Sequence, residues 1–315
     1  MTTTAGGRAR QPVDIRPEAP APGEPRFVAE LTPRVDEAIR AALARYTLPA
    51  RLREAVEYSV LGGGKRLRPL LAMLSCRAVG ADDRLADSSA VAVELIHAFS
   101  LVHDDLPAMD DDSLRRGLPT THVRFGEAMG ILAGDAMLSL AFQVLTDAAP
   151  DAALAGRLCA ELAQGTTGMI AGQVYDTLGG FPPGLTPRQH LDLIHHNKTG
   201  ALITASCRMG ALAGLWPRAD HPHLAALTAY GNAVGLMFQI VDDLLDVEQT
   251  TEQLGKRAGK DEQAGKLTFP GLLGVAESRV EVDRLRSIAH AALAPMAPDA
   301  AGLADLCEYL AVRTK

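Results

Sequence analysis

Apolar positions along the chain recur at helical spacing rather than in strict alternation. Val91, Leu95, Phe99 and Val102 step by four, four and three, which puts them on one face of a helix. Ala, Leu, Glu and Arg are strong helix formers, and β-branched runs are short and scattered. Thr186 and Pro187 suit the N-cap and first turn of a helix running towards His195. Loops are marked by Gly62 to Gly64, by Gly179-Gly180 with Pro182-Pro183, and by Gly255 to Gly259. The pattern predicts an all-α protein of about ten helices, most of roughly 12 to 25 residues. No solenoid-period repeat and no second-domain linker interrupts it. A single helical domain is therefore expected over residues 27–315. Residues 1–26 are expected to be a disordered tail, on their Pro, Gly, Ala and Arg content up to about Glu24.

Composition narrows the function classes. The 315 residues are 47% hydrophobic but only 4% aromatic, with a formal net charge of −7. No block of Lys and Arg interleaves with aromatics, which argues against a nucleic-acid surface and a polybasic membrane anchor. The longest apolar stretch, Gly130 to Leu145, is interrupted by Asp135 and falls short of the roughly 20 residues of a span, so no membrane span is expected. The N-terminus lacks the apolar core of a secretory signal. Cys76, Cys159, Cys207 and Cys307 are far apart in apolar helical contexts, with no metal-binding spacing. Four buried free thiols in a reducing cytoplasm are the expectation.

The chemistry is concentrated in two acidic clusters. Asp104, Asp105, Asp110, Asp111 and Asp112 follow an apolar helix in LVHDDLPAMDDDSLRRG. Carboxylates crowded at the end of a core helix repel one another and lose solvation, so a cation is expected to meet them. Pro107 should end or bend the helix and let Asp110 turn back towards Asp104. Asp242, Asp243 and Asp246 form a second cluster in FQIVDDLLDV, where Asp242 and Asp246 share a helix face. A lone cluster of this kind reads as a surface acidic turn. Two of them, each in an apolar helix, suggest one cavity seen from both sides, holding Mg²⁺ with few carboxylates and substrate phosphates.

Local cations complete the pattern. GGGKRLRP carries Lys65, Arg66 and Arg68 at a helix start, where Gly admits a phosphate close to the backbone and free N–H groups favour anions. It differs from the nucleotide phosphate loop, because Leu67 replaces the metal-binding hydroxyl. Arg115 and Arg116 follow the first acidic cluster; Lys198-Thr199 and the segment with Lys256 and Lys260 add more positive groups. His97 and His103 flank the first motif and read by themselves as core histidines; His195 and His196 read as structural or partly exposed.

These motifs, with GQVYD, KTGAL and LGKRAGKD, resemble the trans-prenyltransferase (polyprenyl synthetase) family from about Val56 to the C-terminal AVRTK. The four residues between Asp105 and Asp110 resemble bacterial farnesyl diphosphate synthases and plant-type geranylgeranyl diphosphate synthases. The resemblance implies an isoprenoid synthase helical bundle around a central cavity, working as a homodimer. It implies that Asp104, Asp110, Asp242 and Asp246 hold three Mg²⁺ against an allylic diphosphate, with Gln173 and Asp176 close behind. Arg115, Lys198, Thr199, Gln239 and Lys256 would grip that diphosphate, with Lys198, Thr199 and Gln239 as the catalytic set. Lys65, Arg68, His97 and Arg116 would hold isopentenyl diphosphate. The tail before Phe27 has no counterpart in the resemblance.

For product length, Phe99 lies five residues before Asp104, roughly 7.5 Å deeper and about 140° away from it around the helix, while small Ser100 lies closer to its direction. Periodicity alone leaves Phe99 as a core residue. A bulky aromatic there resembles the floor that stops elongation, so fifteen-carbon farnesyl diphosphate is the expected product, with twenty-carbon geranylgeranyl diphosphate as runner-up. A terpene cyclase, which needs no second diphosphate site, and an inactive helical subunit are the remaining alternatives.

Overall fold

The computed structural model describes residues 25–252 and 267–313, and within 248–252 the backbone only. The proposed tail up to Glu24, Lys256, Lys260 and the Gly255 to Gly259 loop lie outside the described residues.

Ten helices of at least 12 residues are found among the described residues: α1 (Arg26–Ala44), α2 (Ala50–Leu61), α3 (Leu67–Ala78), α4 (Asp87–Asp104), α6 (Glu127–Ala148), α7 (Ala152–Leu178), α9 (Ala201–Leu215), α10 (Pro222–Glu252), α12 (Val275–Leu293) and α13 (Ala301–Val312). Shorter pieces are α5 (Thr121–Phe125), α8 (Pro187–His195) and α11 (Phe269–Leu273). The all-α expectation holds. The one strand pair described, β1 (Leu114–Arg115) and β2 (Leu118–Pro119), is a two-residue hairpin. α1 takes in Arg26, so helical structure begins inside the stretch assigned to the tail.

Periodicity explains the packing. Val91, Leu95, Phe99 and Val102 are all buried along α4, which lies against α6. α9 is held between α3, α7 and α10, and α10 carries α12 on its other side. Thr186 caps α8 in a reciprocal capping box with Gln189, as its sequence predicts. Cys76, Cys207 and Cys307 are buried free thiols, whereas Cys159 is only half-buried. It lies on α7, where the helix's second face is open.

One expectation about apolar segments changes. The segments 83–104, 127–148 and 222–247 are helical over 22, 22 and 26 residues with mean hydropathies of 1.4, 1.6 and 1.5. By length and composition they could cross a bilayer, and in the second Asp135 interrupts the apolar run without interrupting the helix. Burial accounts for the apolarity of the first, at 67%, better than for the second, at 44%. α6 exposes Ile131 and Leu132, and α7 exposes Ile170, Val174 and Leu178 at four-residue steps. The two helices are packed together, and each carries exposed apolar residues.

Candidate active site

The end of α4, the last turns of α7, the start of α9 and the acidic turns of α10 converge on one mouth. α4 stops at Asp104, ahead of Pro107. The chain then curls back so that the Asp110 N–H donates to the Asp104 carbonyl at 2.8 Å, which is the return that Pro107 was expected to allow. Asp104 is partly buried. Desolvation pushes its carboxyl up to about 6; Lys198 opposes the shift, and Asp110 adds to it. Its neighbour Asp105 is buried and turned away from the mouth. The Arg115 Nε donates to both its oxygens, at 2.9 and 3.0 Å, and Nη2 donates to Oδ1 at 2.6 Å. This fork pins the hairpin to the helix end.

The second cluster divides the same way. Asp242 is partly buried, its carboxyl pushed up by burial and held back by Arg313. Asp243 is 5% exposed and structural. It accepts the Phe269 N–H that opens α11 at 3.0 Å and the Gln239 amide at 3.4 Å, and it lies 3.4 Å from the His195 ring. Asp246 is one turn beyond Asp242 on the same face of α10. In each Asp-Asp pair, one carboxylate faces the mouth and the next braces the fold.

Between α8 and α9, His196–Gly200 form a π turn rather than a continuous α-helix. It sets Lys198 and Thr199 into the mouth. Lys198 Nζ donates to Asp176 Oδ2 at 2.5 Å, and Thr199 Oγ1 donates to Gln239 Oε1 at 2.9 Å. Gly172 permits this approach: a Cβ there would lie 2.0 Å from the Lys198 backbone nitrogen. Gln173, by contrast, donates along its own helix to Thr177 at 3.3 Å.

The cationic residues meet in a cavity of about 330 Å³, lined by Lys65, Arg68, His97, Arg116, Phe238 and Arg313 among others. Arg116 and Gly117 make the hairpin turn with φ of 52° and 75°, the pairing a type I′ turn requires. The Arg116 guanidinium crosses to donate to the Gly63 carbonyl, and a Cβ at Gly64, whose φ is 122°, would lie 2.6 Å from that guanidinium. The three described non-glycine residues with positive φ are Arg66, Asp111 and Arg116, all in these loops, where backbone strain is kept by surrounding contacts. Burial, with Arg116 nearby, lowers Arg68 to about 10, Glu94 and Asp242 opposing. Its Nε is buried with no protein partner. Burial and then Arg68 and Arg116 hold His97 well below the ordinary imidazole range. An excess of buried positive charge with unfilled donors is what an anion pocket requires.

Arg313 was not anticipated. It is 71 residues from Asp242 in sequence, yet its Nη2 donates to Asp242 Oδ1 and, at 3.3 Å, to the Phe238 carbonyl, with the guanidinium stacked over the Phe238 ring. A basic residue after the last helix is its only sequence signal.

The α4 face carrying Asp104 also carries His97, Ser100 and Leu101, all half-buried, whereas Phe99 is 7% exposed. The Phe99 ring packs edge-on against His103, centroids 5.2 Å apart, and His103 lies over Gly134 of α6. The side chain open below Asp104 is thus the small Ser100.

Magnesium fits the donor set. Desolvated carboxylates at Asp104 and Asp242 need a positive partner, and their oxygens are hard ligands. Among the described residues no three His, Cys, Asp or Glu stand close enough to hold an ion alone. That suits a cation whose coordination is completed by phosphate and water.

Comparisons with known proteins agree with this geometry. Residues 49–295 match the model of the polyprenyl synthetase family. Geranylgeranyl pyrophosphate synthase 11, chloroplastic, of Arabidopsis thaliana is 46% identical over 274 residues, covering 84% of this chain and 75% of that protein. Among solved structures, a geranyltransferase from Legionella pneumophila matches at 34% identity with a TM-score of 0.78, covering 91% of this chain and 96% of the other. A geranylgeranyl pyrophosphate synthetase from Pyrococcus horikoshii matches at 30% identity with a TM-score of 0.79, covering 91% and 97%.

Proposed function

The chain belongs to the polyprenyl synthetase family and is a prenyltransferase of isoprenoid biosynthesis; from that premise we propose that it extends allylic diphosphates with isopentenyl diphosphate to twenty-carbon geranylgeranyl diphosphate. The carrying observation is Ser100, small and half-exposed on the Asp104 face, with the Phe99 ring packed aside against His103. The Arabidopsis relative's name supports the same length. The fifteen-carbon product is the second reading, favoured by the aromatic ring at 99. Incubation with isopentenyl diphosphate and dimethylallyl, geranyl or farnesyl diphosphate, followed by product chromatography, separates the two. A twenty-carbon product from all three is expected. A stop at fifteen carbons with no turnover of farnesyl diphosphate would establish the second reading.

In the proposed mechanism Asp104, Asp110, Asp242 and Asp246 would hold three Mg²⁺. Bound there, the metal would neutralise diphosphate charge and so make it a competent leaving group. Lys198 and Arg115 add fixed positive charge, and the Thr199 hydroxyl, oriented by Gln239, lies at the same mouth. The allylic C–O bond breaks, its electron pair leaving with diphosphate. The double bond of isopentenyl diphosphate, whose diphosphate Lys65, Arg68, His97 and Arg116 would hold, then attacks the allylic carbon. The proton released from isopentenyl passes to the departed diphosphate, so no protein nucleophile is required. Apolar walls exclude water from the cation. The outward stripe of Ile170, Val174 and Leu178 beside Ile131 and Leu132 supports a homodimer joined through α6 and α7. The free thiols support a reducing, cytoplasmic setting.

A further inference from the structure

The anion pocket contains a carboxylate. Glu94, on α4 one turn before His97, is 4% exposed and lines the same cavity as Lys65, Arg68 and Arg116. A negative side chain in the wall of a pocket for diphosphate would repel the ligand unless something cancels it.

Arg66 does so. It is 3% exposed, and its Nη1 donates to Glu94 Oε1 at 2.7 Å while its Nε donates to Asp36 Oδ1, on α1, at 2.8 Å. Nη1 also reaches the Gly63 carbonyl at 3.3 Å. Its backbone sits at φ 51°, ψ 30°, a left-handed conformation costly for a side chain with Cβ. Three elements therefore meet on one guanidinium: α1, α4 and the glycine loop. Lys65, beside it in the loop, and Arg68, two residues on in α3, are among the pocket's cations, and the carbonyl it touches also receives Arg116.

We propose that Arg66 is a positioning residue for the isopentenyl diphosphate pocket, which folds the glycine loop over Glu94 and masks that carboxylate so that the pocket presents net positive charge. The proposal rests on the prenyltransferase reading of the pocket. Arg66 spends its guanidinium on Glu94, Asp36 and the Gly63 carbonyl. It acts by where it puts Lys65 and Arg68 and by the charge it hides.

Masking has a signature that bracing alone lacks. Arg66→Gln leaves Glu94 bare in the pocket wall, whereas Glu94→Gln keeps an acceptor for Arg66 and removes the negative charge. Arg66→Gln should raise the KM for isopentenyl diphosphate at least tenfold and change the KM for geranyl diphosphate less than twofold. Glu94→Gln should leave the isopentenyl KM within about twofold of wild type or lower it. The double variant should recover most of the loss. The same comparison by calorimetry with inorganic diphosphate and metal-free protein requires no turnover, so a wild-type chain without prenyltransferase activity would sink the functional reading and still leave the Arg66 ratios measurable. Should Arg66→Gln not fold, Arg66→Lys, which keeps the charge but cannot bridge two carboxylates, takes its place with an intermediate loss expected. Equal effects on both substrates, equal harm from Glu94→Gln, or no recovery in the double variant would each overturn the proposal.

Discussion

Replacing Asp104 with asparagine should stabilise the metal-free protein while removing its activity. The carboxyl is pushed from 3.8 to about 6 by desolvation in the mouth. A shift of about two units corresponds to roughly 3 kcal/mol, and partial exposure reduces the usable part to about 2 kcal/mol. The sign follows from the direction of the shift. A carboxyl whose folded value is raised favours its neutral form when folded, so the wild type loses stability as pH rises from about 4 to about 6 and carries the full penalty above that. Asparagine is isosteric and carries no such penalty. In EDTA at pH 7.5 the variant should melt a few degrees higher than wild type, and the difference should vanish near pH 4. With saturating magnesium and an unreactive allylic diphosphate analogue, the order should reverse. Ligand at about a hundred times its Kd adds roughly 2.7 kcal/mol to the wild type, and the variant gains far less. Turnover should fall on the order of a thousandfold. Thermal melts across pH and initial rates check both halves. A variant that melts at or below wild type in EDTA at pH 7.5 would refute the desolvation argument, and near-normal turnover would refute the metal assignment.

Gly172→Ala places a methyl against the Lys198 backbone and should cost about 3 kcal/mol or break the π turn, read as a lowered melting temperature together with a raised KM for the allylic substrate. Arg313→Gln removes the internal partner of Asp242, so manganese titration without substrate should show roughly threefold to tenfold tighter binding; unchanged binding would mean that the pair does not compete with metal. Ser100→Phe should shorten the product, whereas Phe99→Ala should cost about 3 kcal/mol of stability and leave chain length largely unchanged; longer products from Phe99→Ala would restore Phe99 as the floor.

Much of this was legible in the sequence, for physical reasons that differ by residue. The helices were visible because burial enforces 3.6-residue periodicity, as along Val91 to Val102. The acidic clusters were visible because carboxylates next to apolar runs are costly without a partner. Which carboxylate of each pair faces the mouth is implied by the resemblance and not by the helical pattern. Adjacent helical positions differ by only about 100°, and Asp105 and Asp243 are told apart from Asp104 and Asp242 by Arg115 and by the Phe269 N–H. Arg313 was missed because no local pattern ties a terminal residue to one 71 positions earlier. The weight given to Phe99 over Ser100 comes from the resemblance, whereas helical angle already favours Ser100, and the packing of the Phe99 ring against His103 adds a contact that no sequence pattern contains.

The π turn at His196–Gly200 also constrains how this gene can change. A bonding step of five takes in one residue more than an α turn. If one codon were lost here, α8 and α9 could run on as a single α-helix with little change of register, because the π turn spends its extra residue on about the rotation that one residue fewer covers in an α turn. Thr204 would keep Asn232, and Arg208 would keep Glu161 and Thr228. The loss would fall on Lys198 and Thr199, which the wide turn sets against Asp176 and Gln239. A shortened segment should therefore still fold while losing its grip on the allylic diphosphate.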